Sequence, residues 1–493
     1  ETSRPRCIPV GEWKELSMTK MRLAIVGAGP AGIYAADLLI KAERDFDVEI
    51  DLFEQLPAPY GLVRYGVSPD HPRIKGIVTA LREVLDRARP DTGSADAAAD
   101  GEGVPSGTVR YFGNVRYGED ITLEDLKRHY HAVIFSTGAI RDAALSIPGI
   151  DAEGSYGAAD FVSWFDGHPD VPRTWPLEAA EVAVIGNGNV ALDVSRMLIK
   201  HADDLLPTEI PANVYEGLAS NPITDLHLFG RRGPAYVKFT PLELRELGEV
   251  RDVDMVIDER DFAFDDPYAT EVLGKNKQVL VMTRVINQWR EAQKDREASG
   301  QHASRRLHMH FWSKPVAVVT ENGRVAGLKI ERTAPDGQGG ILDTGEFEVV
   351  PVQSLYRAIG YFGSPLEEIP FDDERGVIPN AQGRVLGADG EPVPGVYATG
   401  WIKRGPVGLI GHTKSDAMET IECLLEDRES WWQPIDSSLE AVPALLESRG
   451  VPYTTIEGWQ RLDEHELALG EAEGRTRIKV VPREEMTRVS RGE

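Results

Sequence analysis

Cysteine is nearly absent from this chain, with Cys7 and Cys423 the only two in 493 residues. Two thiols so far apart in sequence supply no disulfide framework, no C-x-x-C redox pair, and no zinc or iron–sulfur site of their own. Also missing is any apolar run approaching the roughly 18 residues that a membrane-spanning helix needs. No G-x-S-x-G elbow, H-E-x-x-H pair or Walker turn occurs, which leaves hydrolase and nucleotide-hydrolysing chemistry without support. Positive charge is scarce: 54 Lys and Arg face 80 Asp and Glu, for a formal charge of −26. Nucleic acid and anionic lipid, both polyanions, would be repelled. The first 20 residues carry Arg4, Arg6 and Lys14 but no apolar core. They read as a flexible leader rather than a secretory signal, and the expected location is cytoplasmic.

What is present is ordinary globular composition, 41% hydrophobic and 27% charged, at a length that implies two or more domains. Residues 21–27 (MRLAIVG) form a β-branched buried-strand pattern, residues 30–43 a helix, and residues 48–53 a second strand. Between strand and helix lies Gly27-Ala28-Gly29-Pro30-Ala31-Gly32, the G-x-G-x-x-G pattern in the context that gives it a mechanism. Gly27 permits the turn, Gly29 lets backbone amides approach a pyrophosphate, Gly32 completes the pattern, and the helix N-terminus favours the negative charge. Glu54 closes the second strand, where a carboxylate can accept hydrogen bonds from a ribose diol. The alternative is a glycine turn in some other α/β protein. Residues 88–107 are rich in Asp, Ala and Gly and read as a mobile insertion. Residues 132–135 read as another buried strand.

The unit recurs. Residues 181–186 (EVAVIG) lead into Gly186-Asn187-Gly188-Asn189-Val190-Ala191, then a helix over 189–200 and a strand over 225–229. Here Arg231 and Arg232, not an acid, follow the second strand, and guanidinium groups can hold a 2′-phosphate that a carboxylate would repel. That points to NADP(H), against the plainer reading of a surface basic pair. Two cradles exceed what a simple dehydrogenase needs, and a flavin relay accounts for the second. Residues 256–350 read as an antiparallel run, residues 395–400 as one more buried strand, residues 415–426 as a helix, and the tail beyond Trp431 as a partly helical appendage.

The stretches AIVGAGPAG, PAPYGLVRYGVSPDHPRIK, AVIGNGNVALDVSR, FGRRGP, FTPLELREL and ATGWIKRGPVGLIGHTK together resemble the adrenodoxin reductase family, which includes bacterial NADPH-ferredoxin reductases. The resemblance implies an α/β fold of two Rossmann-like, glutathione-reductase-like domains, the NADP domain inserted in a split FAD domain. Expected boundaries are 21–141 and 356–430 for the FAD halves, 142–355 for the NADPH domain and 431–493 for a C-terminal extension. It implies FAD near Ala31 and Glu54, with the flavin beside Leu62, Val115, Trp401 and Gly408, Leu409 and Ile410. NADP is implied at Asn187, Gly188, Asn189, Val190, Arg231, Arg232, Glu243 and again Gly408. His71 and Glu246 take the places of a histidine and a glutamate beside flavin and nicotinamide. Ala143 stands where the family can carry an arginine, with Arg141 two positions away.

His71, between Asp70 and Pro72, is either a satisfied structural histidine or a proton-handling group. Glu243 and Glu246 lie three apart on a helical pattern and share a face, whether turned to nucleotide or to water. His308 and His310 alternate along a strand and raise a metal reading, which the ordinary strand outweighs for want of further ligands. Arg305, Arg306, Lys275, Lys277 and Arg284 are either solvated or a local basic patch for an acidic ferredoxin, bound transiently. The function implied is FAD-dependent transfer of electrons from NADPH to a ferredoxin-type iron–sulfur protein. The alternatives are an electron-input subunit similar to the glutamate synthase small subunit, disfavoured by the missing cysteine clusters, and a non-catalytic nucleotide-sensing module.

Overall fold

The computed structural model describes residues 20–87, 106–407 and 410–493. The expected leader therefore lies outside the described residues, as does most of the insertion expected at 88–107. The first strands are β1 (Lys20–Val26), β2 (Asp47–Glu54), β3 (Gly107–Gly113) and β4 (Ala132–Phe135). β5 (Arg141–Asp142) leads into β6 (Ser155–Gly157), β7 (Glu181–Ile185), β8 (Asp225–Phe229), β9 (Val253–Ile257) and β10 (Arg305–His310). Then come β11 (Ser313–Glu321), β12 (Arg324–Pro335), β13 (Ile341–Pro351), β14 (Ser354–Arg357) and β15 (Tyr361–Phe362). β16 (Asn380–Ala381), β17 (Arg384–Leu386) and β18 (Pro392–Ala398) complete the set.

Two doubly wound sheets result. The first runs β16-β17-β18-β4-β1-β2-β3, so strands from both ends of the chain share one sheet. The second, β6-β14-β7-β8-β10-β9, is parallel throughout and is built wholly from the sequence between them. The split, inserted arrangement is thus a property of strand order. β5 and β15, paired antiparallel, form the two-stranded ribbon where the chain passes between halves. The expected boundary after residue 355 falls inside β14, which belongs to the inserted sheet through Arg357. β4, and β1 from Leu23 on, read as unbroken apolar runs because both faces are covered, one core cluster lying on each side of the first sheet. The second sheet is covered likewise, one cluster lying on the face of Val182, Val184, Leu226 and Leu228 and another on the face of Ala183, Ile185 and Phe229.

Two expectations change. The antiparallel run expected over 256–350 is real only for β11, β12 and β13, because β9 and β10 pair in parallel and the helix Lys277–Ser299 stands between them. That helix buries only Val279, Met282 and Ile286, an i, i+3, i+7 stripe so narrow that polar residues hide its period. The C-terminal residues are no loose appendage either. Trp459, Leu462 and Met486 enter one core of the first sheet and Val442 and Leu446 the other. Among the described residues no helix is long and apolar enough to cross a membrane.

Candidate functional site

In each sheet the Gly-rich turn follows the central strand at which the winding order reverses, β1 in the first and β7 in the second, the usual place for a ligand crevice. In the first turn Gly27 has φ +111°, and a Cβ there would lie 2.5 Å from Ser136 O. Gly29 differs. A Cβ on it would meet nothing nearer than Gly61 Cα at 3.8 Å, so its backbone faces open space at the start of the helix Pro30–Lys41, which has no side-chain cap. Those N–H groups are left for an anion. The second turn repeats the division: a Cβ on Gly186 would collide with Ala358 O, whereas Gly188 has nothing within 4 Å, and the helix Asn189–Ile199 likewise starts uncapped. Asn187 and Asn189 shape this turn, Asn187 O accepting from Lys238 N–H (2.9 Å) and Asn189 Oδ1 from Thr240 N–H (2.9 Å).

Glu54 is buried at the end of β2, where its carboxylate accepts from Ala28 N–H (3.0 Å) and Leu56 N–H (3.1 Å). Burial pushes its pKa up to about 7, against the pull of those backbone donors. Each oxygen retains an acceptor lone pair for a ribose hydroxyl. Val115 donates its N–H to Glu54 O (2.9 Å), which fixes it against the end of β2. Tyr60, at φ +83°, ties its N–H to Ala28 O (2.8 Å), and a Cβ on the following Gly61 would stand 3.1 Å from Gly29 Cα. Leu62, half-buried, opens the short helix that follows. A Cβ on Gly400 would meet Ala31 Cβ at 2.6 Å, so the end of β18 and Trp401 reach the first turn. Gly408 and Leu409 lie outside the described residues, and the helix after them runs Ile410–Glu426.

The two cradles meet. Trp401 of the first half and Val190 of the second turn pack on one small apolar cluster with Ala139, Ala159 and Tyr361. Beside it His71, 2% exposed, reaches from the first half into the second. Its Nε2 lies 2.7 Å from Glu243 Oε2 and 3.0 Å from Asp193 Oδ1, and its Nδ1 lies 2.7 Å from Glu246 Oε2. Glu243 and Glu246 do share a face of the helix Pro241–Gly248, started by Thr240 and Pro241. That face holds the imidazole. Burial opposes a charge on His71, but the hydrogen bonds to Asp193 and Glu243 prevail and push its pKa up to about 10. Burial also raises Glu246, with His71 pulling the other way.

Sequence reasoning missed Asp193, Arg196 and Lys200, although their i, i+3, i+7 spacing on an otherwise apolar helix marks one charged stripe. Arg196, 1% exposed, pairs with Asp70, Asp193 and, at 3.4 Å, Glu243. Burial alone would raise Asp70, but Arg196 and Lys200 hold it well below the usual carboxylate range. His71, Glu243 and Glu246 present ligand atoms within 4.8 Å of one another. Glu243 meets one ring nitrogen and Glu246 the other, however, so the in-plane lone pairs diverge, and Arg196 Nη2 stands 2.8 Å from Nε2. A cavity of about 290 Å³ opens beside Glu246, lined also by His71, Ile74, Leu242 and Arg245.

Arg231 is exposed and Arg232 half-buried with its guanidinium 5.8 Å from the Tyr236 ring centroid. Among the described residues neither has an ion-pair partner, so both charges are available to a phosphate. A larger cavity of about 540 Å³ lies elsewhere in the second half, lined by Arg260, Arg332, His308 and His310. Its charges are taken up internally, Arg260 by Asp258 and Arg332 by Asp261 (2.7 Å each). His227 joins His308 and His310 there, at ring centroid distances of 4.4 and 5.2 Å and nearly parallel. Their ring nitrogens are engaged within the protein, His227 Nδ1 lying 2.9 Å from His310 Nε2 and His308 Nε2 2.7 Å from Asp225 Oδ1. Burial pushes His227 down to about 4 and His310 to about 3.

Two dinucleotide cradles facing one another across a shared seam define a pyridine-nucleotide-linked flavoprotein oxidoreductase. Accordingly, the profile of the pyridine nucleotide-disulphide oxidoreductases matches residues 21–215. The chain is 38% identical over 489 residues to NADPH-ferredoxin reductase FprA of Mycobacterium tuberculosis, covering 95% of this chain and 99% of that one. To human mitochondrial NADPH:adrenodoxin oxidoreductase it is 34% identical over 479 residues, covering 95% and 91%. The solved structure of M. tuberculosis FprA in complex with NADPH superposes with a TM-score of 0.83 at 36% identity, covering 96% of this chain and all of that one. The chain belongs to the NADPH-ferredoxin reductase and adrenodoxin reductase family.

Proposed function

We infer that this protein is an FAD-dependent oxidoreductase that takes electrons from NADPH and passes them to a ferredoxin-type iron–sulfur protein. The observation that carries this reading is the junction of the two cradles, where Trp401 and Val190 pack on one apolar cluster and His71 is held by Asp193. When bound, FAD accepts two electrons as a hydride and releases them singly, which is the chemistry a one-electron carrier requires. The chain's own residues bind and orient. The open backbone at Gly29 and the helix start at Ala31, with the closely packed Gly27 and Gly32 around them, take the FAD pyrophosphate and Glu54 the ribose. Leu62, Val115, Trp401 and the start of the helix at Ile410 enclose the flavin, and Gly408 and Leu409 belong to the same assignment. Asn187 to Val190 take the second pyrophosphate, and Arg231 and Arg232 the 2′-phosphate. His71 lies between Asp193 and Glu243 at Nε2 and Glu246 at Nδ1, and these carboxylates favour its charged form against the pull of Arg196.

On this reading residues 21–141 and 358–430 make the FAD domain, 142–357 the NADPH domain and 431–493 the C-terminal extension. Docking of an acidic ferredoxin is assigned to Lys275, Lys277 and Arg284. All three are exposed, next to the exposed apolar Val272, Leu280 and Val281, and such a pairing of charge and apolar area suits a transient partner. Arg305 and Arg306 are left out of the patch, because Arg305 donates to Ile199 O and Lys200 O and Arg306 grips Asp225. A cytoplasmic location is part of the same proposal. The test is stopped-flow reduction of the yellow protein by NADPH and by NADH, then mixing with a ferredoxin. Reduction by NADPH followed by ferredoxin reduction is expected; a preparation that takes up no flavin would sink the reading.

A further inference from the structure

The segment 475–483 runs along the seam between the two halves and is fixed to both. Lys479 is 4% exposed. Its Nζ donates to Arg64 O (2.8 Å) in the first half and to Asp166 O (3.0 Å) in the second, and pairs with Glu209 Oε1 at 2.9 Å. Glu209 also pairs with Lys75 of the first half at 2.5 Å. Arg64 is held in turn by a fork from Glu466 (2.9 and 2.6 Å), whose Oε1 accepts the Val480 N–H (2.9 Å). At one end of the segment Thr476 donates to Pro207 O (2.9 Å) and Arg475 to Leu206 O (3.0 Å) and Ile210 O. At the other, Arg483 donates to Gln55 O and Asn114 Oδ1 of the first half and forks onto Asp170 of the second, each at 2.7 Å.

A buried ammonium left without a partner is strongly destabilising, whereas a buried ion pair adds little net stability. The carboxylates of Glu209 and Asp166 come from the second half and the Arg64 carbonyl from the first, so the full set of partners of Lys479 is complete only when both halves and the tail stand in this relation. The same residues connect to the seam: Arg64 and Lys75 bracket the segment that carries Asp70 and His71. We propose that Lys479 is a positioning residue for NADPH oxidation, the point through which 475–483 straps the two nucleotide-binding halves at one separation and angle. This rests on the FAD- and NADPH-binding reading above.

The test uses the FAD-loaded enzyme carrying Lys479→Met. The limiting rate of flavin reduction by NADPH is expected to fall about tenfold or more, since small misplacements cost rate steeply, while the NADP+ dissociation constant shifts less than about twofold because its binding groups are untouched. Independently of activity, amide hydrogen exchange is expected to quicken in 62–75 and 203–211, the segments Lys479 joins. An unchanged limiting rate, with or without faster exchange or a lower melting temperature, overturns the proposal and leaves the segment a purely structural one. If Lys479→Met does not fold, Arg483→Gln, altered at a more exposed side chain, must show the same split between rate and affinity, and failure to do so overturns it equally. Wild-type protein that binds no FAD would instead reject the underlying reading.

Discussion

Arg196 grips Asp70 with two parallel hydrogen bonds, Nε to Oδ2 at 2.9 Å and Nη2 to Oδ1 at 3.0 Å, across the junction of the two nucleotide-binding halves. Arg196 lies on the helix Asn189–Ile199, whose N-terminus forms the second cradle, and Asp70 precedes His71. One helix therefore presents its start to the second Gly-rich turn and its later turns to the segment that carries His71.

Replacing Arg196 by Leu leaves Asp70, Asp193 and Glu243 facing one another in a buried site. Removing one partner of a buried pair commonly costs about 3–5 kcal/mol, and a loss of that order is expected in urea unfolding. Asp70 has a folded pKa well below its unfolded value, so it contributes stability that is present above about pH 4 and is lost as acid protonates it. Asp70→Asn should accordingly flatten the acid limb of the stability profile. An unchanged acid limb would show that Asp70 is not held in this way.

His71 has the opposite sign. Its folded pKa of about 10 lies above the unfolded 6.5, so the protonated imidazole contributes stability in full below 6.5, and that contribution fades as pH rises to about 10. The unfolding free energies of wild type and His71→Gln should therefore lie furthest apart near about pH 6 and converge toward about pH 10. A constant gap across that range would remove the charged imidazole from the account.

Both cradles were legible in the sequence because their geometry is local: glycine spacing, the strand before and the helix after fall within some dozen residues. The Glu54 and Arg231–Arg232 contrast was readable for the same reason. His71 and Glu246 came from the family pattern, and they do meet. The bonds of Arg196 to Asp70, and of Lys479 to Arg64 and Asp166, were not readable, because nothing in a one-dimensional pattern says which buried charges pair. Polar residues also masked the helix Lys277–Ser299, where only three side chains are buried. The tail looked like an appendage because its Trp459 finds Tyr60, ring centroids 5.7 Å apart, only in the folded chain.

The glycines of each turn separate folding from binding. Gly27→Ala would strain a φ of +111° and press Cβ against Ser136 O, so loss of folded protein is expected. Gly29→Ala has 3.8 Å of clearance and Gly188→Ala has nothing within 4 Å, so both should melt near the wild-type temperature. The added methyl then occupies the space assigned to a pyrophosphate. Gly29→Ala should be purified with little FAD, and Gly188→Ala should keep FAD but bind NADPH poorly. Full cofactor binding in either variant would place the phosphates elsewhere.

Arg231 and Arg232 decide coenzyme choice if their unpaired charges hold the 2′-phosphate. A hydrogen bond to a charged group is worth about 1.5–3 kcal/mol, so neutralising both should weaken NADPH by on the order of a hundredfold or more. NADH has no 2′-phosphate and should be used about as well as before. Because Arg231 is exposed and neither arginine is ion-paired among the described residues, the double variant Arg231→Gln/Arg232→Gln should fold normally. Steady-state rates with both coenzymes give the ratio directly. A preference for NADPH that survives the double substitution would assign the 2′-phosphate to other residues.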